Sequence, residues 1–395
     1  MNTPNICLQC KGSRLLCGNK VCPLLSRIKV EPKIKNLSKD FFGKSPSSFI
    51  GHFGYPNVFI GPLGAVEEKE NMDNPNAWFG MNYSDVIEMR SLLLRSKERE
   101  SVFSKLKVIE EIQELTLANS PTDVEMQFNK KPYYNLNFSG IVQPMGPSVE
   151  LSKLRLAENP KISSKIEYIV RDDLKAVESS SLLYKKGQDV YKITNILSVG
   201  LLGKEKKLVP TRWSITAIDD IICKQLIEEV KQYPSVNEYL VFSSEYLSNH
   251  FEILVMPGNW EFENFEAWAP GSFWSQGAKN TVISEEYEGY KGRTKYAASQ
   301  VGGYYAARLG IVEGLKNIKR QARIVNFREI YEGYMIPLGV WVVRETVRNA
   351  FNKPPMKFST LDEALKHIDS KLRIKTSVYK KKSRILTQKT INDFS

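Results

Sequence analysis
At 395 residues, 42% hydrophobic and 25% charged, the chain is long enough to bury a sizeable core and has the makeup of a globular protein of two or three domains. Its net charge of +12 favours an anionic partner, nucleic acid before a membrane surface. No apolar run reaches membrane-spanning length and no secretory pattern opens the chain, so the expectation is a soluble, cytoplasmic, nucleoid-associated protein.

The chain opens with four of its five cysteines, Cys7-x-x-Cys10 and Cys17-x-x-x-x-Cys22. Four thiolates within sixteen residues suit one tetrahedral zinc with no open position, a structural site. Two disulfides are the competing account, and the rest of the chain has no disulfide-built character. Residues 1–26 therefore read as a four-Cys zinc finger, 27–40 as a linker and 41–375 as an α/β (mixed α+β) body with a candidate subdomain division near residue 205. Residues 376–395 read as a flexible basic tether.

Inside the body, Phe49 to Gly64 carries four glycines and two prolines among aromatics, which predicts tight turns around short buried strands. His52 there either reaches a ligand or is a structural imidazole, and Asn57 joins it as a candidate nucleotide-site residue. The glycines do not form a phosphate loop. Residues 73–118 read as helical, with Val102, Leu106, Ile109, Ile112 and Leu115 as an apolar stripe. The stretch 133–144 reads as strand and turn, as do short runs at 166–170 and 190–199.

The central block, Leu208 to Asp220, leads into an apolar-faced helix for which Thr216 and Asp219 supply a capping box. Arg212 with Asp219 and Asp220 then flanks a helix start, where free backbone N–H groups favour an anion such as a nucleotide phosphate. The alternative is an arginine satisfied by Asp219 at the cap.

Strands follow at 238–243 and 251–257. From Gly258 to Trp274 aromatic and acidic residues alternate; if this stretch is a strand, Glu261 and Glu263 fall on one face, as candidate metal-holding carboxylates or as an ordinary exposed strand face. The loop 284–293 ends on Arg293, another candidate. The helix expected from Tyr296 carries a dense basic face, Arg308, Lys316, Lys319, Arg320 and Arg323, which is either a surface that tracks DNA phosphates or a solvated face. Ile324 to Tyr331 reads as a strand, and Pro337 opens another helix. Thr360-x-x-Glu363 is a capping box before a last amphipathic helix. From Lys371 to Lys389 there are eight basic residues and no acidic one, the basis of the expected tether.

The last eight residues contain Gln388-x-x-Ile391-x-x-Phe394. One tight turn sets Ile391 and Phe394 on one side as an apolar plug, with the Gln388 amide at its rim. This resembles the clamp-binding box (PIP box) of proteins that dock on the DNA sliding clamp, proliferating cell nuclear antigen, although Ser395 stands where the fuller form has a second aromatic. The segment from Val209 to Asp219, V-P-T-R-W-S-I-T-A-I-D, resembles the signature of NreA, an archaeal DNA-repair family, as do Phe53-Gly-Tyr-Pro-Asn-Val58 and the terminal box. The resemblance covers essentially the whole chain, including the four-Cys start. It implies a DNA-damage repair factor recruited by the sliding clamp, with a zinc finger in front, binding DNA and other repair proteins. It supplies no reaction. The alternative is a metal- or nucleotide-dependent hydrolase acting on nucleotides or DNA ends.

Overall fold
A computed structural model describes residues 31–133, 146–270, 278–334 and 336–388, with Ser272 and Ser275. The four N-terminal cysteines, Ile391, Phe394 and most of the strand expected at 133–144 lie outside the described residues. The body is mixed α/β and divides into two compact units at Ile222/Cys223 rather than near residue 205.

The first unit begins with a single turn, α1 (Glu31–Lys35), inside the expected linker. Strands β1 (Asp40–Ser45) and β2 (Ser47–Ile50) follow, separated only by Pro46. Proline has no N–H to give a ladder, so the strand bends there. Next come β3 (Asn57–Ala65), α2 (Tyr83–Ser91), β4 (Leu93–Ser101), α3 (Lys107–Leu117), β5 (Thr122–Phe128) and β6 (Ser148–Leu156). The sheet order is β1-β5-β6-β4-β3-β2. Its two ends, β1 and β2, are successive halves of one bent strand, so the sheet curls round on itself. All its pairings are antiparallel except β4 with β6.

Alternation decides which side chains face in. Val58 and Ile60 of β3, and Val124 and Met126 of β5, point into a core closed by Ile109, Ile112 and Leu115 of α3. The helical reading of 73–118 is thus corrected at its centre: residues 93–101 are a strand. The strands read at 166–170 and 190–199 are also corrected, because these residues lie in α4 (Ser164–Arg171) and α6 (Val190–Ser198), on either side of α5 (Ala176–Lys185). Ile166, Ile169 and Val170 are buried at i, i+3 and i+4, a helical spacing that outweighs their β preference. The long helix α7 (Thr211–Val230) starts five residues before Thr216, so the expected capping box does not form the helix start.

The second unit is built on β7 (Tyr239–Tyr246), β8 (Asn249–Met256), β9 (Glu261–Trp268), β10 (Val282–Glu288), β11 (Arg323–Ile330) and β12 (Met356–Phe358). Their order is β10-β9-β11-β8-β7-β12, with β9 and β11 the parallel pair. Residues 284–288, part of the stretch 284–293 expected as a loop, belong to the edge strand β10. Helices α8 (Gly302–Ile318) and α9 (Trp341–Phe351) cover one face, where Phe242 stacks on Phe351 and Phe262 meets Tyr304. Helices α10 (Leu361–Lys371) and α11 (Thr376–Lys380) cover the other, burying Leu365, Ile368 and Tyr379 against Val241, Phe265 and Phe327. The expected capping box opens α10: Thr360 Oγ1 accepts from the Glu363 N–H, and Glu363 accepts from the Thr360 N–H.

The tether is the largest correction. Residues 372–388 are packed on the sheet, with Leu372, Tyr379, Ile385 and Leu386 all buried. Two buried carboxylates hold the segment. Glu329 accepts from the backbone N–H groups of Arg373 and Ile374 and from the hydroxyls of Tyr379 and Tyr331. Glu263 accepts from the Ser383 hydroxyl and the Arg384 N–H. Basic composition predicts a solvated run; acceptors more than 40 residues away in sequence fold it instead.

Candidate functional site
The turn that follows β2 and the start of α7, some 160 residues apart in sequence, are joined by one hydroxyl. Thr211 Oγ1 accepts from the Ile50 N–H at 2.9 Å and lies 2.9 Å from Ser198 Oγ. Backbone bonds extend the seam: Val102 N–H donates to Pro56 O, Leu208 N–H to Val102 O and Val209 N–H to Ser198 O. Pro210 O accepts from the N–H groups of Trp213 and Ser214, which starts the helix. The turn itself closes through Asn57 N–H to Gly54 O, with Gly54 at φ +79°, a conformation that favours glycine.

This seam places side chains that neither segment buries. The Tyr55 and Trp213 rings meet at 5.1 Å, inclined at 50°, and are 44% and 45% exposed. Phe53 is 68% exposed and lies against the His52 imidazole at 4.1 Å. Arg212 is exposed next to Trp213. Burial chiefly, then the charges of Arg212 and Arg95, pulls the His52 pKa below its usual value, so the ring is neutral at pH 7. Arg95 itself lies over the Phe49 ring at 3.6 Å, and burial lowers its pKa to about 10. Exposed Phe103 lies 5.8 Å from Lys207 Nζ, which also pairs with Glu205 at 2.5 Å.

The same unit carries a second group of exposed or half-buried side chains on adjoining strands. Phe59 of β3 pairs in register with Arg99 of β4, and Lys97 Nζ lies 5.3 Å from the Phe59 ring. Alternation along β4 sends Lys97 and Arg99 to this outer side and Glu98 and Glu100 to the other. Rings with free faces beside guanidinium and ammonium groups can stack on bases while the cations meet phosphates.

Of the residues singled out in the sequence, His52, Asn57 and Arg212 come together here. Asp219 and Asp220 do not mark the helix start. They sit eight and nine residues into α7, so Asp219 is about 10 Å along the axis from Arg212, and it is buried. β9 does put Glu261 and Glu263 on one face, but Glu263 holds the C-terminal segment and Glu261 accepts from Arg323 Nε at 3.1 Å. Arg293 pairs with Glu286 at 2.8 Å and covers the Tyr304 ring. The five basic residues expected to form one face are split, and Arg308 is buried and paired with Glu288. Lys316 pairs with Glu229, Arg323 is taken by Glu261 and by Gln388 Oε1, and Lys319 and Arg320 remain exposed after α8. Among the described residues, no three or more His, Cys, Asp or Glu gather into a metal-binding group.

Tyr55 and Trp213 stand inside motifs that give them no role in the sequence, and Phe59, Lys97 and Arg99 stand outside the candidate residues. The signal was present in Arg95-Ser-Lys97-Glu-Arg99-Glu, where basic residues recur at period two.

A family model described as "Archaeal Nre, N-terminal" matches residues 16–275, and one described as "Archaeal Nre, C-terminal" matches residues 288–394. The chain is 37% identical over 396 residues to a protein named DNA repair protein NreB from Archaeoglobus fulgidus, covering 98% of this chain and 99% of that one. It is 40% identical over 365 residues to DNA repair protein NreA of the same organism, covering 91% and 92%. To DNA repair protein NreA of Haloferax volcanii it is 34% identical over 370 residues, covering 89% and 88%. No solved structure matches.

Proposed function
Because this chain belongs to the archaeal Nre family, we propose that it is a DNA-repair factor that meets DNA at the surface formed by Tyr55, Arg212 and Trp213. The names of its relatives support the repair role. The observation that carries the DNA contact is the pair of half-exposed rings beside Arg212, assembled from two distant segments by the Thr211 hydroxyl. Trp213→Ala should weaken binding to a labelled oligonucleotide about tenfold, within the range for losing one base–aromatic stack, and leave the melting temperature within a few degrees. Undiminished binding by the folded variant, read by fluorescence anisotropy, would refute the site.

The reading extends to the four N-terminal cysteines, outside the described residues, and to the terminal box, of which only Gln388 is described. Cys7, Cys10, Cys17 and Cys22 form a structural zinc finger. Elemental analysis should read one zinc per chain, lost when Cys7 and Cys10 are both changed to serine, and a metal-free wild type would end that reading. Gln388, Ile391 and Phe394 recruit the protein to the sliding clamp. The hydrolase alternative has no comparable support, since Asp219 is buried within α7 and Glu261 and Glu263 are engaged around the C-terminal segment.

A further inference from the structure
Counting β1 and β2 as one bent strand turns the first sheet into a five-stranded barrel. Its first strand pairs with the second (β3) through one half and with the fourth (β5) through the other. The ring then runs first, second, third, fifth, fourth and back to the first, with the third and fifth strands (β4 and β6) parallel. A single helix, α3, lies between the third and fourth strands and packs on the barrel core. This is the Greek-key connectivity of the OB-fold, in which the face of the second and third strands and the loop joining the first to the second take oligonucleotides or oligosaccharides.

The positions that this architecture designates are those where the chain leaves aromatic and basic side chains uncovered. The loop from first to second strand is Gly51–Pro56, bearing exposed Phe53 and Tyr55. The second-strand face presents Phe59, 37% exposed, and the third presents Lys97 and Arg99. Trp213 and Arg212 extend the surface from α7, next to Tyr55. The acidic residues of the third strand alternate away from it. Glu205, paired with Lys207, is the carboxylate at the Phe103 margin.

We infer that single-stranded DNA lies across this barrel face, with bases stacked on Phe59, Tyr55 and Trp213 and phosphates on Lys97, Arg99 and Arg212. A duplex hides its base faces inside its own stack, so a row of open rings discriminates in favour of unpaired strands, while basic groups fix the backbone. This rests on the reading of the Tyr55–Trp213 surface as a DNA contact and extends it to the strand face and to one class of DNA.

The test uses the full-length protein and three labelled ligands of equal length: oligo(dT), a duplex, and an abasic strand that keeps the phosphates without the bases. The expected result is tightest binding to oligo(dT). Phe59→Ala should weaken that binding about tenfold and leave the abasic strand unaffected. Lys97→Gln should weaken both single strands and lower the salt slope by roughly 0.7. Equal affinity for oligo(dT) and the abasic strand, or tighter binding to the duplex, would overturn the stacking track while leaving a DNA contact. Loss of oligo(dT) binding in Trp213→Ala but not in Phe59→Ala or Lys97→Gln would confine the contact to the helix start and overturn the track. No binding to any ligand by folded protein would overturn the DNA contact itself.

Discussion

Glu263 has no exposed surface, and its carboxylate holds the Ser383 hydroxyl and the Arg384 N–H. Burial chiefly, with a smaller push from Glu285, raises its pKa from the usual 4.5 to about 6, even though those donors favour the ionised form. A carboxylate with a raised folded pKa binds its proton more tightly in the folded chain than in the unfolded one. Its contribution to stability is therefore full below about pH 4.5 and lost as pH rises through about 6, a change of about 2 kcal/mol. Glu263→Gln removes that titration. Measured by denaturant unfolding from pH 4.5 to 7.5, the variant should gain on the wild type by about that amount as pH rises. A stability difference that stays constant with pH would show that Glu263 does not titrate in this window. At Gly303 a Cβ would lie 2.5 Å from Glu266 Oε1, so that glycine is explained by the Glu266–Arg328 pair rather than by helix propensity.

Among the elements, the C-terminal segment departs most from its composition. Four donors converge on Glu329, and truncating it leaves them without an acceptor in a buried setting, at a cost of a few kcal/mol. Glu329→Ala should release residues 372–388 from the sheet and speed tryptic cleavage at Lys380–Lys382 relative to the wild type. Equal cleavage rates in a timed digest would mean that apolar burial of Tyr379, Ile385 and Leu386 alone holds the segment. Neither acceptor was legible, because a buried glutamate on a strand reads the same as an exposed one until its partner is placed. The capping box at Thr360 was legible because it is closed within four residues. Strand β4 was read into a helix because α2 and α3 flank it; the period-two recurrence of Arg95, Lys97 and Arg99 marks it as extended, and pairing with β3 and β6 makes it a strand.

For the whole molecule, the fold class and the motifs around His52 and Arg212 could be read from the chain, but their meeting could not. The two segments are joined by a hydrogen bond across 161 residues, and spacing along a chain carries no such information. The excess of basic residues pointed to an anionic partner, yet the structure spreads them: Lys316 and Arg323 pair with carboxylates, while Lys97, Arg99 and Arg212 lie on the first unit. The clamp contact is tested on the intact protein. Changing both Ile391 and Phe394 to alanine should abolish clamp binding in titration calorimetry with no change in melting temperature, and undiminished heat of binding would remove the terminal box from the proposal.

Gln388 is the last described residue, and its Oε1 accepts from Arg323 Nη2 at 3.0 Å while Arg323 is held by Glu261. Phe394 lies six positions further on, so the reach from this anchorage to the end of the plug is at most about 20 Å. On the proposed clamp contact the attachment is therefore a short leash. The ring could not drift far from the start of β11, and the angle at which DNA leaves it would be constrained by where Arg323 stands.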